Sequence, residues 1–363
     1  MPSARTQPEP FLSSLTRISD LHEKGFDTRP LPRKEWATGD YVVGRVTGRP
    51  TGLYIVELAN GRMIDVLEGD LVVGALGDRC ATQEGVGEWQ AIGPAGEFHA
   101  LTSAGVFGKA TSTSALVPEL MTMSYLGHAF RDDRHLRMHD FVPSVADKRL
   151  DVPVILLVGT SMSAGKTTTG RFIIHELRKS GLRIVGAKFT GAGRYRDILT
   201  YRDAGADAIL DFVDAGLPST VVPRKVFKTA MRYMLNRVAA LKPDVLVAEA
   251  GASPLEPYNG KTVVNGLADL TRFTVLCASD PHAVLGVQTA FGSNLRASIV
   301  SGPAANTSAA IDLVRQLSGL DSLNLLERKN YPELSRRLME ALEINEDDLD
   351  NEARIYMNEK TTA

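Results

Sequence analysis

The sequence predicts an α/β chain, a parallel sheet carrying a phosphate-binding loop, preceded by a small β-rich domain of barrel or sandwich type. Three observations predict it. Gly159-Thr160-Ser161-Met162-Ser163-Ala164-Gly165-Lys166-Thr167 stands between an apolar run, Val152–Val158, and an amphipathic stretch, Thr168–Ser180. Strand, glycine-bearing loop and helix in that order are the context in which such a motif cradles phosphate. Beyond Gly181, strand-like and helix-like patterns alternate, as a parallel sheet requires. Between Asp40 and Ala110 the chain instead shows short β-branched runs broken by glycines, the signature of antiparallel pairing.

Composition sets the frame. The 363 residues are enough for two cores, and 44% hydrophobic with 23% charged residues is ordinary for a globular enzyme. Forty-one basic against 43 acidic residues leave a net charge of −2, which gives no electrostatic case for nucleic acid or an anionic membrane as partner. Cys80 and Cys277 stand far apart, so neither a zinc site nor a disulfide framework is expected. No apolar run reaches membrane-spanning length and the first residues lack a signal-peptide core, so the cytoplasm is the expected location.

Taken in order, residues 1–36 are polar and proline-bearing and are expected as an extended N-terminal arm. Residues 37–150 form the β-rich domain with its linker, with strands expected in Tyr41–Val46, Leu53–Leu67, Asp70–Gly77 and Glu88–Gly93. Asn60-Gly61 divides the second run as a hairpin turn. A helix is expected around Pro118–Leu126. Residues 151–325 form the P-loop NTPase-like domain. After the loop helix come strand Leu182–Lys188, helix Ile198–Ala215, the short run Thr220–Val222, helix Lys225–Leu241 and strand Asp244–Glu249. Strands Phe273–Ser279 and Ala297–Val300 and helix Ser308–Ser318 follow. Residues 326–363 read as a C-terminal helical tail, acidic from Glu340 onward.

The loop supplies the expected nucleotide-binding residues: Gly159, Thr160, Ser163, Ala164, Gly165, Lys166, Thr167 and Thr168. Consecutive N–H groups with a helix start behind them form a nest for polyphosphate. Lys166 bridges the terminal phosphates in this reading, and the Thr167 hydroxyl ligates Mg²⁺. Five residues separate Gly159 from Gly165, where the common pattern has four. In open parallel sheets ligands meet the carboxyl ends of strands, where Lys188, Glu249 and Ser279-Asp280 fall. Glu249 is accordingly expected to share Mg²⁺ with Thr167, making Lys166, Glu249 and Lys188 the catalytic candidates. Arg194 and Arg196, in a glycine-rich loop, suit a phosphate or carboxylate, and His282 lies near the same edge, so these three are expected to bind substrate. His135 and His139 stand four apart but lack a third ligand at a recognisable spacing.

The long loop, with Lys188 and Glu249 in this order, resembles dethiobiotin synthetase and related cofactor-biosynthesis amidoligases. The segment Glu249-Ala250-Gly251-Ala252-Ser253-Pro254 through Tyr258 and Gly260 resembles the bacterial family that contains D-glutamate N-acetyltransferase. Both resemblances cover roughly residues 150–320. The first implies an ATP- and Mg²⁺-dependent ligase or kinase that phosphorylates a small carboxylate or carbamate for attack by an amine. In it Lys188, Arg194 and Arg196 hold the acceptor. The second implies N-acyl transfer to an amino acid. A third reading is a nucleotide-dependent switch or accessory protein of cofactor biosynthesis. No Asn-Lys-x-Asp segment is present to read guanine. The expected partner is a small-molecule substrate, and a homodimer is a candidate assembly.

Overall fold

The structure, a computed structural model, describes residues 9–48, 52–292 and 295–344. Its contacts divide into two units. The first contains the chain up to Ser144 together with Ala192–Arg196 and Phe212–Val222; the second contains Val145–Gly191, Asp197–Asp211 and the chain from Pro223.

The first unit is built from strands β1 (Phe11–Leu12), β2 (Asp27–Arg29), β3 (Tyr41–Thr47), β4 (Ile55–Glu57), β5 (Met63–Asp65) and β6 (Leu71–Leu76). Strands β7 (Arg79–Ala81), β8 (Gly85–Glu88), β9 (Glu97–Ala100), β10 (Val106–Thr113), β11 (Thr122–Arg131) and β12 (Arg134–His135) complete it. The order β6–β3–β11–β9–β10 closes on itself, because β10 returns to pair with β6 through Val106↔Ala75 and Phe107↔Leu76. The β-rich domain is therefore a barrel. Alternate side chains from Val42, Val46, Val72, Leu76, Phe98, Phe107 and Met123 fill it. So small a barrel has little room for the Phe98 and Phe107 rings. A Cβ on Gly44 would lie 2.6 Å from the Phe98 ring, and one on Gly74 2.6 Å from Phe107, so glycine is what lets both rings inside.

Three expectations in this part are corrected. Residues 9–36 are no extended arm: β1 pairs with β6, β2 pairs with β11, and Leu15 is buried at 1% exposure. Its apolar residues, sparse in a polar segment, are enough to anchor it. No helix forms over Pro118–Leu126: Pro118–Met121 is irregular, and strand β11 starts at Thr122, where β-branched and aromatic residues favour the sheet. Of Glu88–Gly93 only Glu88 is in a strand, and Trp89–Ala91 is a 3₁₀ turn. The Asn60-Gly61 hairpin joins β4 to β5, with Gly61 at φ +84°.

In the second unit β13 (Val154–Gly159), β14 (Ile184–Thr190), β15 (Ala208–Asp211), β16 (Val245–Ala250), β17 (Thr271–Cys277) and β18 (Ile299–Ser301) form one sheet. Its order is β15–β14–β16–β13–β17–β18, and every pairing is parallel. All residues of β13, β14 and β16 are buried, so both faces are covered, as continuous apolar strands require. Helices α1 (Lys166–Arg178), α2 (Tyr195–Asp203), α3 (Arg224–Leu241), α4 (Gly260–Leu267), α5 (Pro281–Phe291), α6 (Ser308–Ser318) and α7 (Tyr331–Leu342) complete the fold. A central strand running through a glycine loop into a helix, within an all-parallel sheet, is a P-loop NTPase-type fold.

Here too there are differences. The helix expected over Ile198–Ala215 ends at Asp203, because Gly205 at φ +107° turns the chain and Ala208–Asp211 pairs with β14 as an edge strand. Thr220–Val222 forms no strand and belongs with the first unit. The division at residue 150 thus misses two excursions, 192–196 and 212–222. Within the expected C-terminal tail, α7 is packed into the second unit: the Tyr331 and Phe172 rings lie 5.5 Å apart, and Ser335 Oγ donates to buried Glu176 (2.8 Å). The tail from residue 345 lies outside the described residues.

Candidate functional site

The loop leaves β13 at Gly159 and enters α1 at Lys166, with Gly165 at φ +90° as the turn between them. A Cβ on Gly159 would lie 2.6 Å from Lys166 Nζ and 2.7 Å from its Cδ, so any larger residue would have to displace the lysine from its place over the loop. Gly302, just past β18, presses from the other side: its Cβ would lie 2.3 Å from the Ala164 carbonyl. The loop is therefore clamped between its own lysine and a second glycine turn. Within it, Lys166 Nζ donates to the Ser161 carbonyl (2.6 Å). Lys166 is 2% exposed, and burial, only partly offset by Glu249, lowers its pKa below the ordinary lysine value. An incoming phosphate reverses that balance, because an anion favours the charged ammonium. Thr160 Oγ1 accepts from the Ser279 N–H (3.1 Å), and Thr160 N–H donates to the Cys277 carbonyl (3.0 Å). Ser163 and Thr168 are exposed.

Glu249, on β16, is 3% exposed. A buried carboxylate costs several kcal/mol unless partnered, and here the partners converge. Thr167 Oγ1 donates to its Oε2 (3.1 Å), with Oε1 at 3.4 Å, and the Tyr201 hydroxyl donates to Oε2 at 2.7 Å. Tyr201 is fully buried; burial and the Glu249 charge push its pKa well above the ordinary value, so it stays a donor at neutral pH. Beside Glu249 in register lies Lys188, whose Nζ donates to Asp197 (2.6 Å). Burial works against the Lys188 charge, but Asp197, Glu249 and Asp211 outweigh it and raise its pKa. The strand-end lysine is thus the counter-charge of three carboxylates.

The structure therefore brings Lys166, Thr167, Glu249 and Lys188 into one electrostatic cluster. His282 stands outside it. Its side chain is 77% exposed on α5, 3.7 Å from Asp280, with no hydrogen bond to Thr167 or Glu249 among the described residues. Arg194 and Arg196 are exposed and belong with the first unit. There the N–H groups of Tyr195 and Arg196 donate to the fully buried Glu57 carboxylate (2.7 and 2.8 Å), which Ser14 Oγ also binds. Tyr201, Asp197 and Glu57 were not singled out from sequence. Tyr201 leaves one trace elsewhere in the chain, the glycines Gly170 and Gly186, whose absent Cβ atoms leave room for its ring (2.3 and 2.8 Å).

Cys277 is buried, and its thiol is pushed up to about 11 by burial, so it is no nucleophile at neutral pH.

The donor set fits Mg²⁺ with polyphosphate: one hydroxyl and one carboxylate, both hard oxygens, beside a clamped nest of N–H groups and a lysine. Among the described residues no three His, Cys, Asp or Glu side chains are grouped to hold a metal by themselves, so a metal here would share its shell with phosphate and water.

No protein-family model and no curated protein matches this chain. Among solved structures it is similar to the chloroplast FtsY of Physcomitrella patens, at 12% identity over 55% of this chain and 67% of that one, TM-score 0.35. A DUF1611 family protein from Anabaena variabilis is 18% identical over 56% of this chain and 61% of its own, TM-score 0.37. FlhF complexed with GMPPNP and Mg²⁺ is 15% identical over 51% and 70%, TM-score 0.32. The P-loop NTPase-type fold rests on this chain's own sheet order, loop and helix. No helix among the described residues is long and apolar enough to cross a membrane.

Proposed function

We propose that the protein is a Mg²⁺- and ATP-dependent enzyme that activates a small carboxylate or amine by phosphoryl transfer. The observation that carries this reading is the Thr167 hydroxyl held 3.1 Å from the buried Glu249 carboxylate, directly behind the Lys166 loop. Thr167 and Glu249 are the residues that would hold Mg²⁺, which when bound supplies positive charge to the transferring phosphoryl oxygens. Lys166 contributes a second positive charge to those oxygens, and the loop N–H groups orient them. Tyr201 fixes the Glu249 carboxylate toward Thr167, so the metal-binding oxygen is preorganised. Lys188, beside Glu249 in the sheet register, places a further positive charge on the acceptor side in this reading. In the ligase form, an acceptor carboxylate oxygen displaces the nucleoside diphosphate from the terminal phosphorus, and an amine then expels phosphate. Arg194, Arg196 and His282 enter the reading as acceptor-binding residues on chemical type alone, and alanine at each tests that through KM.

The deciding experiment is phosphate release from ATP and from GTP across a panel of small carboxylates and amines, with wild type and Lys166→Ala. Acceptor-stimulated release from ATP, abolished by Lys166→Ala, is the expected result. Release indifferent to every acceptor would sink the transfer reading and leave a simple nucleotidase or switch.

A further inference from the structure

We propose that the second unit carries another binding site, for a mononucleotide-sized ligand with a planar ring and a phosphate, in the hollow bounded by α1, the end of α2 and the start of α7. The hollow measures about 380 Å³, at the small end of the range for organic ligands. Its walls are of three chemical kinds. Arg171, His175 and Lys179 follow one another at four-residue intervals and so share one face of α1, and Arg328 adds a further basic group ahead of α7. Phe172 and Tyr331 supply rings whose centroids are 5.5 Å apart and inclined at 45°. Asp203 is the single acidic group of the lining.

The balance of charge decides for an anion. Among the described residues Arg171, Arg328 and Asp203 make no hydrogen bond or ion pair through their side chains, so opposite charges line one hollow without neutralising each other. Arg336, on the following turns of α7, is by contrast engaged between Glu333 and Glu340. Guanidinium groups left open beside aromatic rings suit a phosphate attached to a flat ring, which stacks while the phosphate is held by the fork. Asp203, an acceptor only, suits the hydroxyls of a sugar between them. The wall is also anchored. Lys179 pairs with buried Glu176, which Ser335 of α7 binds at 2.8 Å, so α1 and α7 are tied at the floor of the hollow.

This site is separate from the phosphate loop. Arg171 and Lys179 lie five and thirteen residues beyond Lys166, roughly 8 and 20 Å along the helix axis. Ligand bound there cannot use Lys166, and that separates the proposal from the phosphoryl-transfer reading experimentally.

The test is calorimetric titration of the full chain carrying Lys166→Ala with adenosine monophosphate, adenosine and inorganic phosphate. Saturable binding of the mononucleotide is expected, about tenfold or more tighter than either fragment, since ring and phosphate act together. Arg171→Ala and Arg328→Ala are each expected to weaken it about fivefold, the scale of one exposed charge contact. Both arginines are exposed, so their loss leaves the core intact. Absence of saturable mononucleotide binding would overturn the proposal. So would binding that neither arginine affects, or phosphate binding as tightly as the mononucleotide.

Discussion

At the scale of single residues, the cluster around Glu249 turns a costly burial into a positioned ligand. Its carboxylate accepts two hydroxyl hydrogen bonds and stands beside two buried lysines, so each partner's removal has a separable consequence. Lys166→Ala is expected to abolish nucleotide binding at the loop, read by titration with Mg²⁺ and ATP as loss of the Mg²⁺-dependent binding, because it deletes the loop's phosphate cation. Glu249→Gln keeps an oxygen for Thr167 and Tyr201 but removes the charge. Binding should therefore survive while turnover falls roughly tenfold or more, and equal turnover in steady-state kinetics would remove Glu249 from the mechanism. Tyr201→Phe deletes a donor to a charged acceptor, for a loss of about 1.5–3 kcal/mol in urea unfolding. That loss should shrink in a Glu249→Gln background, and full additivity would deny the coupling. Lys166, Thr167 and Glu249 were legible in the sequence because the motif and the strand end place them. Tyr201, Asp197 and Glu57 were not, since each owes its role to a partner distant in sequence or on another element across a loop, which no local pattern encodes.

Among the elements, legibility followed how locally each is determined. β13, α1, α3, β16 and α6 came out within a few residues of expectation, because a continuous apolar run or an amphipathic stripe with a clear stop defines each. The α2–β15 region did not: the apolar spacing of Ile198 to Ala215 suits one long helix, and only the positive φ of Gly205 and pairing with β14 divide it. Likewise Pro118 and Gly127 bracket Pro118–Leu126 like a helix start and stop, and β11 emerges only once β3 and β9 flank it. The start of α5 shows how an end is held. Asp280 accepts from the N–H groups of His282 (2.9 Å) and Ala283 (3.0 Å), with Pro281 in the first turn. Partial burial opposes the Asp280 charge, but these donors outweigh it and its pKa is lowered below 3.8. A depressed carboxyl pKa means stability present above the unfolded value and lost as pH falls through the folded one. Asp280→Ala is thus expected to cost about 1 kcal/mol at pH 7, with the gap to wild type closing below about pH 4. A gap constant from pH 7 to pH 3 in urea titrations would contradict the cap. Gly170→Ala, which in an exposed helix would stabilise by about 1 kcal/mol, should here destabilise, because its Cβ meets the Tyr201 hydroxyl at 2.3 Å.

At the scale of the whole molecule, the first unit is not a contiguous piece of sequence, and this has a testable cost. Its barrel depends on segments that the chain supplies only after passing through the second unit's first strands. Glu57, at 0% exposure, takes two of its hydrogen bonds from Tyr195 and Arg196. Arg17 pairs with Asp214 at 3.1 Å, Gly193 packs on Leu15, and Gly216 packs on His139 and Val142. A fragment ending at Ser144 would retain every barrel strand yet bury a carboxylate with Ser14 alone to satisfy it, and leave Leu15 without part of its cover. Unpartnered burial of a charge costs several kcal/mol, comparable with the total stability of a domain of this size. Residues 1–144 expressed alone are therefore expected to lack a cooperative melting transition in near-ultraviolet circular dichroism. Glu57→Ala in the full chain, which removes the buried charge and leaves the two N–H donors unmet, should lower stability by about 1–3 kcal/mol without unfolding the protein. If the fragment melts cooperatively at the temperature of the intact protein, the two excursions are dispensable and the barrel is an independent domain. A non-cooperative fragment alongside a folded Glu57→Ala protein would locate the barrel's dependence in the excursions as a whole, with the buried carboxylate as one contact among several.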